Sequence, residues 1–399
     1  MNFVLRIFLL ALLVLTRAPL GAEDFQGAWL RTKKLSTALN PDISLIGEFL
    51  GQTSGNKGSG FALREAELGI QSIIDPYSRA DFFISTHDGE PVELEEGFIT
   101  LLSLPLGLQA RGGKFLANFG RLNMVHSHEQ SQADVPVVLQ EFLGEEGLNS
   151  AGVELSRIVA PFGIFGEITY AFLNDLGGAH AHDKEVTTTT VTNTDLIDVD
   201  VAVHKEDESA PTKLKNFAHV SRLRLYKDLS HSANLEVGFS GALYQPQGHA
   251  KNKTGGIDLT FRWRPLQEGM YRSFTWRTEG LFTDRDLEEE RDPLDDTVVE
   301  APARRINRKG VYSYVEYQPA RRWRFGVRGD YLEEPHIRDK ENRNIITRAV
   351  APYITFTASE FNRIRLQYQA KKEALEKETE HLGFLQWVVV LGPHGAHPF

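Results

Sequence analysis

Residues 257–264, with the sequence IDLTFRWR, alternate without exception between apolar and polar side chains. The odd-numbered positions hold isoleucine, leucine, phenylalanine and tryptophan, and the even-numbered positions hold aspartate, threonine and arginine. Successive side chains of a β-strand point to opposite faces. A strand formed here therefore has one oily face and one charged face.

The same alternation recurs in the segments 65–71, 235–243, 323–331 and 363–369. Many of the strand candidates have about 9–11 residues, which is the length that a tilted strand needs to cross a bilayer. The pattern predicts sixteen strands, near 42–50, 61–74, 79–86, 92–102, 107–115, 152–160, 162–172, 217–228, 232–245, 254–265, 271–283, 310–319, 321–332, 346–358, 361–370 and 380–391.

Strands of a soluble β-sandwich and of a membrane barrel both alternate between apolar and polar side chains. The connections between the strands distinguish the two folds. Short connections such as 75–78, 104–106 and 160–162 take turns with longer polar ones. The longer set is 51–60, 87–91, 116–151, 173–216, 246–253, 284–309, 333–345 and 371–379. Outer-membrane barrels have short periplasmic turns and long extracellular loops. The sequence thus predicts an all-β fold, a transmembrane antiparallel β-barrel of about 16 strands.

The two ends of the chain suggest export. Residues 1–22 have a charged start, an apolar run and a small-residue exit, as in a secretory signal peptide. The apolar run is shorter than the roughly 20 residues of a helical span. We expect a signal peptide at 1–22, a periplasmic segment at 23–41 and the barrel at 42–399. Phe399 is expected to be the sorting signal for the barrel-assembly machinery.

The amino-acid composition excludes several kinds of site and partner. The absence of cysteine excludes disulfides and thiolate metal sites, and the net charge of −10 argues against nucleic acid as a partner. The mean hydropathy of −0.30 resembles that of a soluble protein, but only alternate residues of a barrel strand face lipid. No Ser or Thr stands beside a His in a familiar motif, so no enzyme is expected.

Strand parity predicts which side chains face outward and which face inward. Lipid-facing residues are expected to include Val237, Phe239, Leu259, Phe261, Phe325 and Val327, with Glu236 turned toward the lumen. The predicted pore-lining residues are acidic in the first half of the chain and basic in the second: Glu65, Glu67, Asp81, Glu93, Glu95, Arg222, Arg262, Arg264, Arg324, Arg328, Arg363 and Arg365.

Two interpretations of these inward charges remain open. Opposed charges would set up a transverse field that favours small polar solutes over oily ones. Alternatively, the charges pair as lumen salt bridges without a role in transport. Sixteen strands are expected to enclose a water-filled channel rather than a packed interior.

Loop 116–151 contains an apolar stretch at 135–142, which is unusual for an extracellular loop. Apolar side chains in such a loop need a surface to pack against. We expect this loop to fold inward and narrow the channel; the alternative is a loop that closes over the top of the barrel.

Two His-x-His pairs lie in the predicted long loops: His126 with His128, and His180 with His182. In extended chain, residues two apart point the same way, and neutral imidazole binds zinc, copper and nickel. Both pairs together would give a tetrahedral ligand count for zinc. The alternative is that all four histidines are ordinary solvated loop residues.

Several short motifs resemble a known group of proteins. They are AELG at 66–69, RADFF at 79–83, RGGKF at 111–115, FGR at 119–121, FLGEEG at 142–147, FLQW at 384–387 and GPHGAHPF at 392–399. Together they resemble Gram-negative outer-membrane proteins labelled zinc-regulated outer-membrane receptors, with the GGKF and FGR pieces similar to phosphate-selective porins. The resemblance implies an outer-membrane barrel with a link to zinc.

These observations predict a porin-like channel in the outer membrane of a Gram-negative bacterium. It would pass small polar solutes or ions, and its function would be linked to zinc uptake if the histidines bind this metal. Its expected partners are outer-membrane lipids and the other copies of a homotrimer. The alternative function is a loop-based adhesive or structural barrel without transport activity.

Overall fold

The computed structural model describes residues 41–54, 58–87, 90–144, 146–160, 163–176, 216–245, 251–269, 271–287, 290–292, 295–301, 304–335, 344–376 and 378–392. The predicted signal peptide 1–22 and segment 23–40 lie outside these residues, as do His180, His182 and Phe399. No helix in the described part of the chain is long and apolar enough to cross a membrane.

Sixteen strands form one closed antiparallel barrel, in which chain neighbours pair and the first strand closes on the last. Strands β12 (Glu290–Asp292) and β13 (Asp295–Ala301) form a separate hairpin. The barrel strands are β1 (Asp42–Ser54), β2 (Gly58–Asp75), β3 (Ser78–Thr86), β4 (Glu93–Leu104), β5 (Leu108–Leu116), β6 (Asn149–Val159), β7 (Phe165–Leu173), β8 (Ala218–Ser230), β9 (Ala233–Tyr244), β10 (Asn252–Trp263), β11 (Ser273–Leu287), β14 (Arg304–Ala320), β15 (Trp323–Pro335), β16 (Asn344–Ser359), β17 (Asn362–Glu373) and β18 (Glu380–Leu391).

The all-β fold and the predicted count of sixteen barrel strands are confirmed. Some strands run further than the alternation indicated. The expectation of an irregular loop at 284–309 is wrong in part, because β11 and β14 extend into it and β12 and β13 lie within it. Beyond the bilayer both faces of a strand can meet water, so ladder pairing continues after the apolar alternation has stopped.

The outer face of the barrel is apolar, as predicted. Phe239, Phe325 and Val327 are 44%, 45% and 40% exposed, whereas Glu236 and Arg328 on the opposite face are buried. The predicted lipid-facing residues Val237, Leu259 and Phe261 are half-buried and share the outer face through the pairs Phe239–Ile257, Val237–Leu259 and Leu235–Phe261. At the turn end of the barrel, aromatic pairs such as Trp323–Phe356, with ring centres 4.8 Å apart, form a girdle.

Loop 117–148, which joins β5 to β6, folds into the barrel, so the predicted inward fold is confirmed. It contains helix α1 (Val137–Leu143), whose apolar side chains are buried. They pack with Phe115, Phe119, Leu122 and Leu148, and with inward residues of the strands that include Leu173, Val220, Leu281, Tyr312 and Leu332.

The expectation of a wholly water-filled interior is therefore wrong for the loop end of the barrel. A packed apolar core occupies the space between α1 and the inward residues of β7–β9, β11 and β14–β16. Small inward residues such as Ala171, Ala218 and Ala242 make room for it. This core holds the loop inside the barrel and positions its polar residues against the walls.

Candidate functional site

His126, in the inward loop, lies among three carboxylates of the barrel wall. Its Nδ1 is 2.8 Å from Glu67 and 3.4 Å from Glu95, and its Nε2 is 3.1 Å from Glu96. The imidazole is buried and packs against the ring of Phe83 at 5.2 Å. One loop side chain is thus held by residues of two strands, β2 and β4.

His128 makes the second contact with the same wall. Its Nδ1 is 3.4 Å from Oε2 of Glu65. The intervening Ser127 donates hydrogen bonds to Glu65 at 2.7 Å and to Glu48 at 3.2 Å. We name Glu65, Glu67, Glu95 and Glu96 the acidic wall.

The acidic wall arises from strand alternation and from one irregularity. Glu65 and Glu67 are two apart on β2 and therefore share the inner face. On β4 the register shifts opposite Phe83 and Ile84, and such a bulge changes the parity of the residues beside it. As a result the consecutive residues Glu95 and Glu96 both contact His126.

The carboxylates determine the charge of the two histidines. Burial acts to lower the pKa of His126, but its hydrogen bonds with Glu67 and Glu96 outweigh burial and hold the pKa well above its usual range. Burial likewise opposes protonation of His128, yet the hydrogen bond with Glu65 raises its pKa. The carboxylates thus favour ion pairs with the two imidazoles.

A second set of residues also holds the loop, and we name it the basic wall: Arg328, Arg363 and Arg365. Arg328 is fully buried and makes a bidentate pair with Asp134, at 2.9 and 2.8 Å. Its Nε donates to Asp330 at 2.8 Å. Bidentate arginine–carboxylate pairs are among the strongest hydrogen-bonded contacts.

The other two arginines of the basic wall hold the loop backbone. Arg365 donates hydrogen bonds of 2.8 Å to the carbonyl oxygens of Gln130 and Gln132. Arg363 donates to the carbonyl of His128. The loop therefore connects the acidic wall on β2 and β4 with the basic wall on β15 and β17.

A third attachment lies at the start of the loop, near β9 and β11. The backbone N–H of Gly120 donates to Ser240 at 2.9 Å, and Arg121 lies 3.6 Å from Glu236. Burial and the nearby Arg277 lower the pKa of Arg121 to about 10. Gly120 has a φ of +59°, and a Cβ at this position would lie 1.8 Å from Glu279.

A cavity of about 140 Å³ lies between the loop and strands β2–β5. It is next to the acidic wall, and its lining includes Glu65, Glu95 and His126 together with Glu93, His87 and Lys114. Among the described residues, His126 and Glu65 thus border this cavity.

The predicted pore-lining residues fall into two groups. Six are buried inside the barrel: Glu65, Glu67, Asp81, Arg222, Arg328 and Arg365. The others are partly or fully exposed: Glu93, Glu95, Arg262, Arg264, Arg324 and Arg363. Several buried ones are paired, as in Arg222 with Asp258 at 2.8 Å, whereas their role in transport stays a prediction.

Two of the four predicted metal ligands lie within the described residues. His126 and His128 come together, and the side chains beside them are Glu65 and Glu67 rather than a second histidine pair. His180 and His182 lie outside the described residues, so their pairing with His126 and His128 remains a prediction.

Sequence reasoning missed four residues that hold the loop: Glu48, Arg64, Glu96 and Asp134. Arg64 is the additional residue of a bulge between β1 and β2, and it contacts Glu48 and the carbonyl of Ala133. Bulges interrupt the two-residue period on which the inward set was based. Asp134 lies in the loop, where no period exists to indicate its direction.

No family model matches this chain. An uncharacterized protein of Aquifex aeolicus (strain VF5) is 28% identical, and the match covers 86% of this chain and 71% of that protein. Among solved structures, in-vitro folded OmpT of Vibrio cholerae in its trimer form matches with a TM-score of 0.52 at 8% identity, over 88% of this chain and 99% of that one.

Two further porin structures match the fold of this chain at similarly low sequence identity. The anion-selective porin from Comamonas acidovorans has a TM-score of 0.52 at 8% identity, covering 88% of this chain and 99% of the porin. OmpF of Salmonella typhi, in complex with daunomycin, has a TM-score of 0.51 at 9% identity, covering 88% and 97%. This chain is a sixteen-stranded β-barrel with the fold of the Gram-negative outer-membrane porins.

Proposed function

We propose that this barrel is a porin-like channel for the diffusion of small polar solutes or ions across the outer membrane. One observation carries the proposal: loop 117–148 lies inside the barrel and is attached to the acidic wall by His126 and to the basic wall by Asp134. An inward loop with polar attachments on two separate sets of strands narrows a lumen while keeping its surface charged. A loop used for adhesion would instead present its residues to the outside.

The charges that line the lumen support selection by polarity and charge. Buried pairs such as Arg222 with Asp258 compensate each other. Arg262 keeps 27% of its side chain exposed and lies 4.0 Å from Glu236, and Arg324 is also half-buried. These two arginines have the exposure needed to act on a passing ion.

The proposed setting follows from the fold. The apolar outer face suits outer-membrane lipids, and Phe399 would serve recognition by the barrel-assembly machinery. A homotrimer is proposed because OmpT of Vibrio cholerae is described in a trimer form. Porin folds generally carry no enzymatic activity, and no such activity is proposed here.

A link to metal uptake is a second candidate function. The observation that favours it is the cluster of Glu65, Glu67, His126 and His128 next to the cavity at the loop end. A cation entering from that side would meet the carboxylates of Glu93 and Glu95 before it reached the cluster.

Conductance recording in planar bilayers tests the channel. The purified barrel should give steady open currents. Under a salt gradient, the Arg262→Ala, Arg324→Ala double variant should shift the reversal potential toward cation selectivity, because two lumen cations are removed. Arg272→Ala is the matched control, since Arg272 is an exposed turn residue paired with Glu268. Silence at all voltages would contradict the channel and favour the adhesive or structural barrel.

A further inference from the structure

Four ligand groups from distant parts of the chain meet inside the barrel. Glu65 and Glu67 of β2, with His126 and His128 of the loop, each place one ligand atom within 4.8 Å of the others. All four side chains are buried. The measured separations include 2.8 Å between His126 and Glu67, and 3.4 Å between His128 and Glu65.

These separations suit a small divalent ion. Zinc binds histidine nitrogen and carboxylate oxygen at about 2.0–2.2 Å, and tetrahedral geometry then sets the ligand atoms about 3.3 Å apart. The two separations given above lie close to that value, and the widest separation in the cluster, at most 4.8 Å, would have to shorten by up to about 1.5 Å through side-chain rotation. Two nitrogen and two oxygen donors favour a transition metal over calcium or magnesium, which take oxygen ligands.

A second feature of the cluster is a buried carboxylate oxygen that a bound cation could contact. Glu65 is 3% exposed, and its Oε1 has no hydrogen-bond partner among the described residues. A buried carboxylate oxygen without a donor is costly, and a metal ion would satisfy it.

A cavity and an additional carboxylate lie beside the cluster. The cavity beside it is lined by His126, Glu65 and Glu95. Glu96, which contacts Nε2 of His126, can orient that ring while Nδ1 faces Glu67. A carboxylate on the far nitrogen of a liganding histidine is a common means of orienting the ring and raising its basicity.

We propose that Glu65, Glu67, His126 and His128 form a binding site for a divalent transition-metal ion of the zinc class, which fastens the inward loop to β2. The ion would bind the docked loop and not a released one, so it would stabilise the narrowed state by mass action. The inference goes beyond the proposed channel, because the site could be occupied whether or not the barrel conducts.

Calorimetric titration of the detergent-solubilised, folded barrel with zinc chloride is the first test. The background variant carries His180→Ala and His182→Ala, so that the second histidine pair cannot contribute. One zinc should bind per chain, and calcium chloride should give no heat. Adding His126→Ala and His128→Ala should weaken zinc binding by at least about 100-fold, since even the loss of an outer partner costs about 10- to 100-fold.

Two further variants guard against misfolding and non-specific binding. Glu67→Gln keeps the shape of the side chain but removes its charge, and it should also weaken zinc binding strongly. His87→Ala is the matched control, because His87 lines the same cavity and lies outside the four-residue cluster. Its affinity for zinc should be unchanged.

Three results would overturn the site: no zinc heat in the background variant, equal heats with and without His126 and His128, or unaltered binding in folded Glu67→Gln. The loop would then be held by histidine–carboxylate ion pairs alone. Anomalous scattering at the zinc edge, from crystals soaked in zinc, should place the ion between the four side chains. Loss of conductance with zinc binding intact would instead count against the channel.

Discussion

Gly112 and Gly113 are adjacent in β5 but have different surroundings. A Cβ added to Gly112 would meet nothing within 4 Å. Gly113 has a φ of +139°, and a Cβ there would lie 2.2 Å from the carbonyl oxygen of Gly97. Only the second glycine is required by the close approach of β4 and β5.

We therefore expect Gly113→Ala to destabilise the barrel and Gly112→Ala to leave it nearly unchanged. An L-residue in a sparsely populated backbone region costs about 1–3 kcal/mol, and the clash with a backbone oxygen adds to this. Urea unfolding in phospholipid vesicles, followed by tryptophan fluorescence, measures the free energy of unfolding. Equal losses in the two variants would show that the close approach at Gly113 is not what requires glycine.

The inward loop is the element on which the proposed function depends. Helix α1 holds it by apolar packing, with Val138 fully buried and next to Gly310. Asp134 holds it by charge, through the buried Arg328. Both attachments are made to strands other than those of the acidic wall, with Gly310 on β14 and Arg328 on β15, so loss of either should release the loop from these strands.

Val138→Asp should release the loop and raise the single-channel conductance. An uncompensated buried charge costs about 3–5 kcal/mol, and the loop can avoid that cost by leaving the apolar core while the barrel stays closed. Gln140→Asp is the matched control on the same helix, because Gln140 is only half-buried.

Arg328→Ala should have the same effect as Val138→Asp, since it leaves Asp134 and Asp330 without their buried cation. Recordings in planar bilayers compare the three variants with the native barrel. If Val138→Asp and Arg328→Ala both kept the native conductance, the loop would not be what narrows the lumen.

At the scale of the whole molecule, the apolar outer face predicts that the cost of an outward-facing charge depends on its depth in the membrane. Ile257 lies in the middle of β10 and is 53% exposed. Leu243 lies at the loop end of β9 and is 45% exposed. The two side chains are thus similarly exposed but at different heights on the barrel.

Ile257→Arg should lower the free energy of unfolding in vesicles by about 2–4 kcal/mol, and Leu243→Arg by about 0–1 kcal/mol. The difference arises because hydrocarbon surrounds the first position and the interface surrounds the second. Urea titration of both variants in the same lipid gives the comparison. Equal costs would mean that the outer face meets no hydrocarbon layer.

The amino-acid sequence by itself determined the barrel, its sixteen strands and its lipid-facing side. These depend on a period of two within each strand and on the different solvents on its two faces, and both are local properties. The same alternation placed Glu65, Glu67 and Arg328 on the inner face before any contact was known. Composition and motif spacing also indicated that histidines 126 and 128 belong together.

Only the tertiary structure decided what meets inside the barrel. Asp134 and Arg328 are 194 residues apart in the chain, and Glu65 and His128 are 63 apart. No local period links such residues, because the path of a 32-residue loop through the lumen depends on packing against many strands at once. The alternation did not predict that Arg64 and Glu96 face inward, because each lies at a bulge. One additional residue in a strand reverses the side to which its neighbours point. The ligand set of the proposed metal site therefore became visible only when the loop and β2 were seen together.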